Sequence, residues 1–171
     1  MQNTNTRSLG VRDLDAINDV ITDAVLAWSL PERVKRLSLP LLRYDEVDLE
    51  HFAAIGAYAL DRKVRPVGLF GVAVWDRETL HGLYVRPEAQ RRGVGRHLLR
   101  SVAAHARQAG VSRLLVKAER VSADYFRQQG LMAAGPKAIY PHSFYLETAA
   151  PMLAEACASG PAARLAIAGG A

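Results

Sequence analysis

The residues of this chain best suited to chemistry lie in one run, Gln90-Arg91-Arg92-Gly93-Val94-Gly95-Arg96. Three arginines crowd around two glycines, and their like charges repel unless something negative sits among them. Glycines at 93 and 95 remove side chains that would hold an anion away from the backbone. The run follows "LYVRPEA" and precedes "HLLRSVAAHARQ", so it joins a strand-like segment to a helix-like one. Unpaired N–H groups at the start of that helix, with the helix dipole behind them, form a receptor for phosphate. Arginine side chains can then clamp the anion from the rim.

The common nucleotide readings of such a loop fail. A dinucleotide-binding GxGxxG loop needs a third glycine or alanine where Leu98 stands, and an acidic residue about twenty positions on, where Arg113 and Lys117 lie. The nucleoside triphosphate loop GxxxxGK[ST] is absent.

The loop needs elements to hold it. Leu14, Ile17, Val20, Ile21, Ala24, Val25 and Trp28 recur at helical spacing behind Asp13 and Asp15, either of which can cap, and this helix should end near Pro31. "PERVKRLSLP" predicts a second, short helix with Pro31 in its first turn and Pro40 as its stop. "RYDEVDLE" is acidic and reads as a connection, one that could draw a cationic amine. Residues 51–60, 66–75 and 80–86 are apolar runs joined by the charged turns "DRKVR" and "WDRET", hence three strands of an antiparallel meander. From Val94 the period changes to helical through Leu98, Leu99, Val102, Ala103, Ala106 and Ala109, with Gly110 as the stop. "RLLVKA" is a buried strand, and "SADYFRQQG" a two-turn helix with Ser122 as its N-cap. "LMAAG" and "SFYLET" complete the strands. The Leu83 and Leu114 strands, joined through the long helix, should run parallel with a right-handed crossover. This order predicts an α/β (α+β) domain, a mixed sheet with helices on its faces.

Bulk properties set the bounds. The 171 residues suit one domain, placed at 1–148, followed by an alanine-rich tail at 149–171. Cys157 is the sole cysteine, so neither an intramolecular disulfide nor a cysteine zinc cluster is available. The polar opening residues lack the apolar stretch of a secretory leader and no run could span a bilayer, so a cytoplasmic protein without membrane contact is expected. Between His81 and Gly130 ten Arg and Lys face three acids, which places the whole net charge of +5 in that stretch. No aromatic stacking series or recognition helix accompanies it, so specific nucleic-acid binding is not expected.

Taken with the order of elements, Gln90-x-x-Gly93-x-Gly95 after "LYVRPEA" resembles the GNAT superfamily of acyl-coenzyme A-dependent N-acetyltransferases. The resemblance spans roughly residues 7–147 and is most specific over roughly 80–131. It implies a mostly antiparallel sheet of about six or seven strands with about four helices, whose Leu83 and Leu114 strands splay apart at the cofactor. It implies acetyl-coenzyme A as co-substrate and no metal. The pyrophosphate would sit on Gln90, Arg91, Arg92, Gly93, Val94, Gly95 and Arg96, and the pantetheine along Leu83, Tyr84 and Val85. The amine attacks the thioester directly, with a base to take its proton and an acid for the thiolate. His81 suits the base, since imidazole titrates near neutrality, while Asp76 and Glu78 could act through water. Family members often carry the acid tyrosine four residues before the glycine that ends the short helix. Phe126 stands at that position here and is counted as cofactor-facing. Tyr125 lies about 100° round the helix, so Tyr125, Ser122 or a water are the candidate acids. The acceptor, a small amine, a protein lysine or an N-terminus, should meet walls from the first two helices, the 40s loop and residues 140–142, where His142 is a candidate. A catalytically silent acyl-coenzyme A sensor is the alternative, and a homodimer through the tail stays open.

Overall fold

The apolar runs at 53–60, 66–75 and 79–85 form strands that pair in sequence order. A computed structural model of the protein describes residues 4–60, 66–135, 138 and 142–149. Its strands are β1 (Thr4–Leu9), β2 (Ala53–Leu60), β3 (Pro66–Trp75), β4 (Thr79–Val85), β5 (Arg113–Val116), β6 (Met132–Ala133) and β7 (Phe144–Glu147). They form one sheet in the order β1-β2-β3-β4-β5-β7-β6, antiparallel throughout except where β4 meets β5. The helices are α1 (Leu14–Leu26), α2 (Glu32–Leu42), α3 (Glu46–His51), α4 (Val94–Gln108) and α5 (Ala123–Gln128). The mixed, mostly antiparallel sheet with one parallel pair is as the sequence predicts.

Two cores sandwich the sheet. The α4 stripe of Val94, Leu98, Leu99, Val102 and Ala106 is buried against one face, together with Phe126 of α5 and Phe144 of β7. On the other face Ile17, Val20, Ile21 and Val25 of α1 pack on Val72, Val74 and Tyr84. α1 and α4 therefore each bury the stripe that the 3.6-residue period lays down.

The differences from the sequence reading lie in the first sixty residues. Thr4–Leu9 is an edge strand paired with β2, although its polar residues carry no apolar alternation. A half-exposed edge draws its stability from the neighbouring ladder, so propensity alone does not mark it. The acidic connection is α3, because Asp45 and Asp48 cap it reciprocally: the Asp48 N–H donates to Asp45 Oδ1 at 2.9 Å and the Asp45 N–H to Asp48 Oδ2 at 3.0 Å. His51 ends that helix instead of opening a strand. Pro40 does not stop α2, which continues to Leu42 with Pro31 at its N-cap. In the last turn of an exposed helix Pro40 forfeits only the bond to the Arg36 carbonyl, which water can take. α1 ends at Leu26, short of Pro31, where the Nζ of buried Lys35 donates to the Leu26 carbonyl at 2.8 Å. The tail at 149–171 lies outside the described residues apart from Ala149.

Candidate functional site

The site begins where β4 and β5 part. The two strands pair at Thr79↔Leu115 and Leu80↔Val116, the Lys117 N–H donates to the Leu80 carbonyl at 3.0 Å, and β4 then runs on to Val85 without β5. A bulge in β4 marks the same point: Val74 faces Gly82 and Trp75 faces Leu80, so His81 is the extra residue. Leu80 enters the α4 core, whereas His81 stacks on Phe52 and Gly82 faces Tyr44 and Tyr84 on the α1 side. The extra residue thus breaks the alternation: Leu80 and Gly82, two apart, lie on opposite faces, and His81 shares the side of Gly82.

A cavity of about 300 Å³ fills the gap. Its β4 wall is His81 to Val85, its far wall Lys117, Glu119, Val121, Ser122, Tyr125 and Phe126, and Gln90, Arg91 and Gly95 close the end toward α4. Ala24, Trp28 and Leu42 cover it from α1, the turn after it and α2.

At the α4 end the first intrahelical bond runs from the His97 N–H to the Gly93 carbonyl at 2.9 Å, so the amides of 93–96 have no carbonyl of their own helix to meet. Gly93 is the N-cap with φ +85°, a left-handed conformation suited to glycine, and nothing lies within 4 Å of where its side chain would be. Arg91 also has positive φ, +57°, uncommon for a residue with a side chain and a mark of a constrained loop. Val94 faces the core, so it contributes through its backbone alone. The Gln90 Nε2 donates to the Val85 carbonyl at 3.0 Å and ties the loop to the end of β4. The Arg96 Nε donates to Gln129 Oε1 at 3.0 Å, and Arg92, Gly93, Val94 and Arg96 do not line the cavity wall. This open loop of glycine, amides and arginine fits a diphosphate.

The acid candidates differ in their surroundings. The 100° offset along α5 gives two destinations: Phe126 packs against Phe144 in the core, and Tyr125 lays its hydroxyl 2.5 Å from where a Gly95 side chain would begin. Both rings border the cavity. Gly95 therefore makes room for a tyrosine, a role separate from the one read from its sequence position. The Tyr125 oxygen is buried without a hydrogen-bond partner among the described residues, and burial pushes its pKa up, with Arg96 opposing. Ser122 occupies the N-cap position of α5 but does not cap it; its hydroxyl donates to the Glu119 carbonyl at 3.0 Å, which closes a local turn instead.

At the other end His81 Nε2 and Asp76 Oδ2 are 2.7 Å apart. The Glu78 and Thr79 N–H groups each donate to Asp76 Oδ1 at 2.7 Å. Partial burial works to raise the Asp76 pKa, but these hydrogen bonds outweigh it and hold the carboxyl below its ordinary value. Asp76, read from sequence as a turn residue that could act through water, is thus bound directly to His81. Glu119 faces the cavity close enough to Tyr84 to help raise the tyrosine's pKa, after burial. His142 does not line the cavity, and residues 140–141 lie outside the described set. Lys117 and Glu119 were not singled out from sequence; their one signal is position, just past the end of a parallel strand. Among the described residues no group of His, Cys, Asp and Glu is placed to hold a metal, and no helix is long and apolar enough to cross a membrane.

Comparison with known proteins bears on this geometry. The profile of the Acetyltransferase (GNAT) family matches residues 22–131. No curated protein matches the sequence significantly. Among solved structures, the paia N-acetyltransferase of Thermoplasma acidophilum in complex with coenzyme A superposes with TM-score 0.68 at 16% identity, over 85% of this chain and 99% of that one. A GCN5-related N-acetyltransferase from Rhodopseudomonas palustris gives 0.69 at 16% identity, over 86% and 98%. yncA of Salmonella typhimurium, solved with its cofactor acetyl-CoA, gives 0.54 at 19% identity, over 87% and 98%. Such identities carry the fold.

Proposed function

Because the chain belongs to the GNAT family of acetyltransferases, we propose that it moves an acetyl group from acetyl-coenzyme A to an amine by direct attack in a ternary complex. One observation carries the reading: a single cavity runs from the open start of α4, along the unpaired half of β4, to the imidazole of His81. Acetyl-coenzyme A would supply a thioester whose carbonyl carbon takes the amine's lone pair and whose sulfur leaves with the bonding electrons.

The chain's own residues do the rest. Amides at 93–96 and the Arg91 guanidinium hold the diphosphate, with charge-assisted bonds and the helix dipole acting together. The Leu83–Val85 backbone, freed from β5, is available to pair with the pantetheine amides. His81 takes a proton from the attacking nitrogen. Tyr125 is the donor to the leaving thiolate: burial keeps its hydroxyl protonated, and no acceptor among the described residues competes for that proton. Ser122 is the weaker donor, its proton being engaged by Glu119. Trp28, Leu42 and Tyr84 wall the acceptor end, which suits a small amine or the narrow end of a peptide.

The purified protein should release free thiol from acetyl-coenzyme A with some member of a panel of small amines, lysine peptides and free-N-terminal peptides. Silence across the panel, with coenzyme A still binding, would favour the acyl-coenzyme A sensor instead. Gly95→Glu, which places a carboxylate on the diphosphate seat and against Tyr125, should abolish coenzyme A binding by calorimetry. Unchanged affinity would overturn the seat.

A further inference from the structure

His81 is held from two sides. Its ring lies parallel to Phe52, with centroids 4.4 Å apart and planes 25° from each other. Its Nε2 meets Asp76 Oδ2 at 2.7 Å. Asp76 is itself fixed, since its other oxygen accepts two turn amides at 2.7 Å each. The bulge that turns His81 out of the strand's alternation puts the ring over this turn and beside the cavity at once. A carboxylate accepts and does not donate, so the nitrogen facing it must carry the proton. In the neutral ring the lone pair then sits on Nδ1.

We propose that Asp76 is a positioning residue: by accepting from the Nε2–H it fixes the His81 tautomer and ring plane, so that Nδ1 is the nitrogen that takes the acceptor's proton. The balance is simple. The N–H bond of the attacking amine breaks, its proton passes to Nδ1, and the imidazolium formed is stabilised through Nε2–H by the Asp76 carboxylate, which stays unprotonated. Phe52 supplies the second constraint, leaving the ring little freedom to rotate. The inference rests on His81 serving as the base, as the proposed function has it.

Long-range proton–nitrogen spectra of 15N-labelled protein test the tautomer without any acceptor. His81, assigned by its loss in His81→Gln, should show a protonated Nε2 and an unprotonated Nδ1 when the ring is neutral. The reverse pattern, or an even mixture, overturns the proposal. With the amine selected from the panel, Asp76→Asn should lower kcat by about 10-fold to 100-fold and erase the tautomer preference, while coenzyme A affinity is unchanged. Asp76→Glu should recover part of the rate. If His81→Gln loses activity but Asp76→Asn keeps both rate and tautomer, the role of Asp76 falls and the base assignment stands. If His81→Gln is fully active, the base assignment falls and takes the role of Asp76 with it.

Discussion

At the scale of single residues, Gly95 and Tyr125 behave as one unit. A methyl group at 95 would meet the Tyr125 oxygen at 2.5 Å and its ring carbon at 3.1 Å. Gly95→Ala should therefore destabilise the protein by about 1–3 kcal/mol despite alanine's better helix propensity, because an overfilled contact outweighs that gain. Tyr125→Phe in the same chain removes the clashing oxygen and should return most of that loss, a coupling that urea unfolding of the four-member cycle will read. Additive effects would mean that the hydroxyl does not rest on Gly95. The glycine was legible in the sequence as a site for an anion. Its second role was not, since thirty positions separate it from its partner.

At the scale of elements, the α2–α3 connection is fixed by a buried side chain from α1. Asn18 Nδ2 donates to the Tyr44 carbonyl at 2.9 Å, and the Tyr44 N–H donates to Asn18 Oδ1 at 3.0 Å. Asn18→Ala strands both backbone groups and should cost about 1–3 kcal/mol. Leu42, which borders the cavity, sits two residues before that clamp, so the variant should raise KM for the amine and leave coenzyme A affinity in place. Equal changes in both would sink the assignment of this wall to the acceptor. β1 has its own tie. Asp13 is held below the ordinary 3.8 first by its hydrogen bond to Arg7, then, against the cost of burial, by the Gly10 N–H. The folded state then binds fewer protons at Asp13 than the unfolded chain does. Its contribution to stability is complete above about pH 4 and is lost as pH falls through the lower folded value. Urea midpoints measured down through this range should fall less steeply in Asp13→Asn. Asp13 was readable as a cap for the first helix; its bond to Arg7 depends on a strand that the composition did not announce.

Over the whole molecule, charge is uneven. The stretch 81–130 holds ten basic and three acidic residues, among them Arg91, Lys117 and Glu119 of the cavity wall, while the rest of the chain is slightly acidic. A polyanionic cofactor should feel this field, which salt screens over a length of about 10 Å at 0.1 M. Coenzyme A affinity should drop about fivefold or more between roughly 50 mM and 500 mM salt, and less in Arg91→Ala. A flat salt response, measured by calorimetry, would show that the arginines take no part. The same asymmetry underlies the sequence's opening clue, since an anion would relieve the repulsion among Arg91, Arg92 and Arg96.

Local spacing determined the glycine loop before α4, the β2–β4 meander, the α4 stripe and the parallel return to β5, because periodicity and turn chemistry act within a few residues. It also carried the family resemblance, whose motif is itself a local arrangement of glycines before a helix. Tertiary structure alone decided that Tyr125 meets Gly95, that Asp76 holds His81 through a one-residue bulge, and that Lys117 and Glu119 face the cavity. Where a side chain ends up depends on strand register and on the packing of distant elements, and neither is written in the spacing of neighbours.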